Sequence, residues 1–350
     1  MATKKGLFAY EGEPRSQYRQ TARAFAGDPV EYAVRDPRSG RVVASVTNPF
    51  YGPKIWYARD PAGDWSQAEG VALPRGGDAA LARVWTLVPG EADGLVYAGG
   101  DPGVLFESWD AGVTWEINRA LWEHPTRSSW MPGGGGLCLH SIVPWPGDPQ
   151  RLAIGISAAG VWLTDDGGAT WRRANTGILP RYVPEETREE TTDICVHALR
   201  RAQARPERMF MQFHGGVYRS DDAGESWVDI AAGLPSDFAF PLAVDPADPD
   251  SAFVIPLTAE TDRVTSGGRV RVYETRDAGA SWDAREEGLP QQDAYLTVLR
   301  HALGSTGEGP GLELYFGTTS GHLFGSGDAA ASWFTVAECL PTVHCVTVRG

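Results

Sequence analysis

One octad recurs along the chain, and its period limits the fold more than any other feature. It reads Ser108-Trp-Asp110-Ala-Gly112-Val-Thr114-Trp115, then Thr164-Asp-Asp166-Gly-Gly168-Ala-Thr170-Trp171, then Ser220-Asp-Asp222-Ala-Gly224-Glu-Ser226-Trp227. Thr275-Arg-Asp277-Ala-Gly279-Ala-Ser281-Trp282 is complete, whereas Ser326-Gly-Asp328-Ala-Ala330-Ala-Ser332-Trp333 lacks the glycine. A worn copy from Asp60 to Trp65 keeps the Asp-to-Trp spacing. Copies spaced roughly 50 to 56 residues apart are the mark of a solenoid or propeller, in which each unit buries its apolar face against its neighbours.

Each residue type in the octad has a physical reason. The Asp carboxylate accepts hydrogen bonds from the backbone of its own turn, and glycine supplies a positive φ that a side chain disfavours. The Trp then buries a large ring, with its indole N–H available to a carbonyl. The octads therefore read as hairpin staples, not catalytic groups.

Four short strands fit around each octad, as in Ile194–Leu199, Arg208–Phe213, Gly216–Arg219 and Trp227–Ile230. Leu-Pro pairs at Leu73, Leu179, Leu234, Leu289 and Leu340 mark the passage between blades. The 42 Gly, 25 Pro and 13 Trp favour many short strands over helices. The six copies define six blades, and the ends imply a seventh. Val343–Val348 reads as an inner strand without outer ones, and Gly6–Tyr10 as an outer strand without an inner one. Pairing the termini removes exposed edges. The expected fold is all-β, a seven-bladed β-propeller of four-stranded blades forming a single domain over residues 1–350, closed by both termini. Six blades with ragged ends is the alternative.

The octads resemble the BNR, or Asp-box, repeats of sialidases, Vps10-type receptors and photosystem-assembly propellers. Through Lys5-Gly-Leu-Phe8, Gly136-Leu-Cys-Leu-His140-Ser-Ile142, Ser220 to Trp227 and Tyr315-Phe-Gly-Thr-Thr319, almost the whole chain resembles bacterial propellers usually labelled glycosyl hydrolase or exo-α-sialidase. The resemblance implies a scaffold, which many functions share. A sialidase-like site needs an arginine cluster, a Tyr-Glu nucleophile pair, an acid Asp and an Arg-Ile-Pro motif. No Arg-Ile-Pro occurs; Arg35, Arg83 and Arg300 are conceivable cluster members. The expectation is that the chain is not a true sialidase.

A net charge of −14 argues against nucleic acid or an anionic membrane as partner. The opening residues carry no apolar run of signal-peptide length, and no stretch is long enough to span a bilayer. The chain is therefore expected to be cytoplasmic, with Cys138, Cys195, Cys339 and Cys345 as free thiols or ligands. No nucleotide, flavin or haem site is expected; Gly133–Gly136 follows Pro132, opens no helix and is not a phosphate loop.

Chemistry is expected where the inner strands begin, at the mouth of the central channel. Aligning those strands gives Tyr32, Trp85, His140, His197, Phe240 or Pro241, Thr297 and His344. Loops on the same face add His214, Phe50, Tyr51 and Thr318, with His322 nearby and His301 expected at the opposite end. Alternation puts Cys138 with His140, and Cys195 with His197, on one face of their strands. Imidazole and thiolate suit copper, zinc or iron, and three protein ligands leave a position to activate water or oxygen. Hydrogen-bonded channel histidines and buried structural cysteines are the plainer alternative. Long insertions flank the pair: one carries Trp122, His124, Trp130 and the glycine run, the other Arg181, Tyr182 and the charged Glu185–Glu190 segment. Both suit a lid or substrate wall.

Three functions follow. The first is a metal-dependent enzyme on a small molecule or peptide, with His140, His197, His214, Cys138 and Cys195 as candidate ligands and His344, Tyr32 and Trp85 shaping the site. The second is a non-catalytic binding or assembly propeller using the same mouth. The third is a glycoside hydrolase-like enzyme, for which Glu31 and Asp193 are the best-placed carboxylates.

Overall fold

A computed structural model describes every residue except 77, 78, 189, 190, 192, 259–261 and 350, so the last two glutamates of the Glu185–Glu190 segment lie outside it. The strands form seven four-stranded antiparallel sheets, each a blade. Blade 1 joins inner strand Val343–Cys345 to Ala2–Thr3, Gly6–Glu11 and Arg19–Ala24, so the two ends of the chain close the ring as expected. The inner strands of blades 2 to 7 are Val30–Arg35, Arg83–Pro89, Cys138–Trp145, Val196–Arg201, Ala239–Val244 and Leu303–Thr306. In blade 5, Met209–Phe213 is buried throughout and Val228–Asp229 at the rim is exposed, a gradient that follows from stacking blade on blade. Among the described residues no helix is long and apolar enough to cross a membrane.

The octads are the hairpins between third and fourth strands. Asp222 Oδ1 accepts from Ser226 N at 2.9 Å and from Ser220 Oγ at 2.7 Å, while Ser220 Oγ accepts from Gly224 N at 2.8 Å. Gly224 adopts φ +98°, and Ala330 takes the same left-handed region at +66° where the glycine is missing. The tryptophans also stitch blades together. Trp227 Nε1 donates to Ala174 O of blade 4 at 3.0 Å, and Trp282 Nε1 to Ile230 O of blade 5 at 2.8 Å. Beneath them the previous blade comes so close that Gly177 has no room for a side chain: a Cβ there would enter the Trp227 carbonyl. Gly70 and Gly288 stand in the same relation to Trp115 and Trp333.

The feature that shapes the channel is a β-bulge near the start of the inner strand. Pairing with the second strand skips Glu31 in blade 2, Trp85 in blade 3, His140 in blade 4, His197 in blade 5 and Phe240-Pro241 in blade 6; in blade 1 it skips His344. One extra residue breaks the two-residue alternation and re-aims its side chain. Glu31, not Tyr32, is thus the register equivalent of the histidines. Blade 7 departs further: Gly317 N donates to Ala302 O and Thr319 N to Thr297 O, so Val298 to His301 loop inward between those two anchors. Thr297 therefore precedes the strand proper, and His301 lies in the channel instead of at the opposite end.

Candidate functional site at the channel mouth

The bulged histidines share one role before any other. Each reaches the carbonyl just ahead of the next blade's bulge: His140 Nε2 to Val196 O at 2.8 Å, His197 Nδ1 to Ala239 O at 2.6 Å, and His344 Nδ1 to Val30 O at 3.0 Å. A ring nitrogen facing a carbonyl must donate, so the bond fixes the tautomer. His140 spends its other nitrogen as well, on Ser141 Oγ at 3.0 Å. His197 uses Nδ1, which leaves the lone pair on Nε2 for a ligand.

Cys195, His197 and His214 come together around that difference, with one donor atom from each lying within 4.8 Å of the others. Tetrahedral zinc with bonds of about 2.0–2.3 Å holds its donors roughly 3.3–3.8 Å apart, so modest closure of the trio suffices. His214 directly follows the second strand of blade 5, Met209–Phe213, and donates its backbone N–H to Cys195 O at 3.1 Å. Its ring lies edge-on to His197 at 5.3 Å, to Tyr182 at 5.0 Å and to Phe238 at 5.2 Å.

The long insertion before blade 5 supplies the support. Tyr182 OH donates to Asp193 O at 2.8 Å and accepts from Cys195 N at 3.0 Å, pinning the segment that presents the thiol. Arg181 fastens the insertion to Asp229 at 2.5 Å. Behind Cys195, Ser157 Oγ lies 3.4 Å from Sγ and Gly133 closes the wall. Burial pushes the Cys195 thiol up, with the Ser157 contact and the Arg300 charge opposing it. Burial, then the Arg300 charge, holds His197 well below the ordinary imidazole range, so the ring is neutral and able to coordinate.

Other expected residues stand outside the trio. Cys138 turns to Gly135 O at 3.1 Å and Asp101 Oδ2 at 3.8 Å, and burial pushes its thiol up to about 12. His344 Nδ1 also lies 3.5 Å from Glu31, which in turn pairs with Arg83 at 3.4 Å; Glu31 is therefore already engaged across blades 1, 2 and 3. Asp193 is half-buried, and burial raises its carboxyl. Tyr32 faces the ring of His301 at 5.0 Å, and His301 Nε2 crosses to His140 O at 2.8 Å. Thr318 is buried, with its N–H on His322 O. His322 stacks on Phe324 within blade 7.

The first insertion is packed rather than free. Trp130 is buried at 4.9 Å from Trp162, His124 stands edge-on to Trp162 at 4.7 Å, and Arg127 stacks on Trp122 at 4.0 Å while donating to Pro102 and Gly103 carbonyls. Phe50 and Tyr51, 88% and 78% exposed, stand at the rim.

Arginines complete the mouth. Arg35 is spent on Gly40 O and Arg59 O. Arg300 lies 5.7 Å from the ring of Trp85 and 5.1 Å from that of Phe240, and Phe240 is itself 4.9 Å from His197. Arg83 shares the Trp85 ring with Arg300, at 4.7 Å, so these two arginines stand together at the mouth while Arg35 lies apart from them.

No family model and no curated protein matches the sequence. Solved structures similar in shape are β-propellers. An ancestral GH74 enzyme gives a TM-score of 0.56 at 16% identity over 85% of this chain and 36% of its own, and the Niastella koreensis GH74 enzyme gives 0.56 at 14% over 87% and 45%. The chain spans less than half the length of either enzyme. YCF48 from Cyanidioschyzon merolae gives 0.51 at 11% identity over 87% and 83%, and U3-55K gives 0.55 at 10% over 97% and 87%. At these identities the likeness is one of fold.

Proposed function

We propose that the protein is a metal-dependent enzyme acting on a small molecule at the channel mouth, with Cys195, His197 and His214 holding a transition metal. One observation carries the reading: three borderline-soft donors converge within 4.8 Å, and the His197 tautomer is set by its bond to Ala239. A zinc, copper or iron ion on such a trio supplies Lewis acidity and an activated water at its remaining position. Tyr182 orients the cysteine, and Phe238 and Phe240 exclude water from one side of the trio. A reducing, cytoplasmic setting belongs to the proposal, because Cys195 must remain a thiol to bind. The BNR-like hairpins are scaffold in this reading, and sialidase chemistry forms no part of it.

Elemental analysis of the gently purified protein, quantified per chain, tests the proposal. Near-stoichiometric metal that disappears in His214→Ala and Cys195→Ala but persists in His140→Ala is expected. Metal-free protein that also fails to take up zinc or copper on titration overturns it.

A specific observation favours a second reading, that of a binding propeller. Phe50, Tyr51, Met131, Leu179 and Tyr295 are exposed, and all lie on connections that open to the mouth face. Recovery of a stoichiometric protein partner on a chain without metal would select it.

A further inference from the structure

We infer that Arg300, stacked between Trp85 and Phe240, is the recognition group for a small organic carboxylate bound beside Cys195, His197 and His214. This deepens the proposal above by naming the substrate class, and the Arg300 half stands without the metal.

Donors at the mouth outnumber the acceptors that meet them. The neighbouring arginines are engaged, Arg83 by Glu31, Arg200 by Leu199 O at 2.9 Å, and Arg263 over the Phe240 ring at 5.8 Å. Arg300 makes no hydrogen bond or ion pair among the described residues, and its Nε is buried without an acceptor. Trp85 Nε1, on the ring that Arg300 stacks against, is also buried without one. A half-buried guanidinium whose Nε, like the Trp85 indole N–H, is buried without an acceptor is costly to maintain, and a ligand that only accepts relieves that cost.

Geometry narrows the ligand. Aromatic rings beside the guanidinium leave its edge as the binding direction, and that edge presents paired N–H groups matched to a carboxylate. The same rings offer an apolar wall for the body of the molecule. Asp101 and Asp193 stand at the mouth with Cys138 and Cys195, which disfavours a dianion such as phosphate relative to a monoanion. Phe240 is shared by Arg300 and His197, so a carboxylate on Arg300 directs its remaining atoms toward the trio.

Calorimetric titration with benzoate, benzyl alcohol and inorganic phosphate at neutral pH tests the inference on the protein as purified. Benzoate is expected to bind most tightly. Its affinity should fall at least tenfold in Arg300→Gln and severalfold in Trp85→Phe, and should survive in Cys195→Ala. Should Arg300→Gln fail to fold, Arg300→Lys keeps the charge without the paired donors and is expected to weaken benzoate about tenfold. Absence of benzoate binding, equal binding by either Arg300 variant, or tighter binding of benzyl alcohol or phosphate overturns the inference. Benzoate binding to a chain that takes up no metal leaves Arg300 assigned and overturns only the metal centre.

Discussion

His140 and Val196 are joined across a blade boundary, Nε2 to carbonyl oxygen at 2.8 Å, while the equivalent bond from His197 to Ala239 uses Nδ1. The choice of nitrogen separates a clamp from a ligand. With its Nδ1 on Ser141 and its side chain buried, His140 is fully occupied in holding blade 4 to blade 5. His140→Ala should cost about 2–4 kcal/mol, from an orphaned carbonyl and a cavity. Denaturant unfolding measures the loss, and metal content should stay unchanged.

For Cys195→Ala the expectation is reversed. Zinc at one hundred times its dissociation constant stabilises a single-site protein by about 2.7 kcal/mol. Thermal melts with and without zinc should show that gain in the unsubstituted chain and little of it in Cys195→Ala, whose metal-free melting point should move only slightly. A variant that keeps the zinc-dependent shift would remove Cys195 from the site.

The channel histidines also set a pH dependence. Burial, then the Arg200 charge, lowers His301 from 6.5 to about 3, and burial, then Arg300, holds His140 well below 6.5. Both are neutral in the fold at neutral pH, so below about pH 6.5 the unfolded chain binds more protons, down to about pH 3 in the case of His301. Their stabilisation is complete above pH 6.5 and is lost as the pH falls, by up to about 1.4 kcal/mol per pH unit for each histidine. Urea midpoints at pH 7.5, 5.5 and 4.5 should fall in that order, and less steeply in His301→Asn, which leaves only the His140 contribution of the pair. A midpoint that is level across this range would contradict the assignment.

Two glycines ahead of Leu-rich turns separate crowding from backbone strain. Both hold positive φ, +85° at Gly177 and +95° at Gly233, but an added Cβ meets the Trp227 carbonyl only at Gly177. Gly233→Ala should cost about 1 kcal/mol, the ordinary penalty of a left-handed alanine. Gly177→Ala should cost clearly more, because the seam between blades 4 and 5 must open. Equal losses in urea would show that the seam opens at no cost.

The sequence made the blades legible because the signals that build them are local. Asp222, Gly224 and Trp227 act within one hairpin, and the spacing of such hairpins counts the blades. Closure by both termini was also legible, from strands that lacked partners. The mouth was less so, since its geometry depends on bulges and on contacts between blades. Strict alternation put Cys138 beside His140, but the bulge at His140 turns the imidazole into the seam and leaves Cys138 facing Gly135 and Asp101. Aligning Tyr32 with the histidines missed that Glu31 holds their position, and treating Thr297 as a strand residue hid the inward loop that delivers Arg300 and His301. Tyr182 carried no signal for its role, because a tyrosine in an insertion does not announce which backbone it will tie down.

The bulge carries a consequence for how such a mouth changes. In blades 2 to 5 the same one-residue bulge forms whether the socket holds Glu31, Trp85, His140 or His197, and His344 in blade 1 and Phe240-Pro241 in blade 6 are skipped at a like point. Identity at these points is therefore uncoupled from the period that folds the chain. The mouth is a circle of exchangeable fittings on fixed mounts, and a new donor, charge or stacking surface can arise there by one substitution, with no loop to invent and no strand to move.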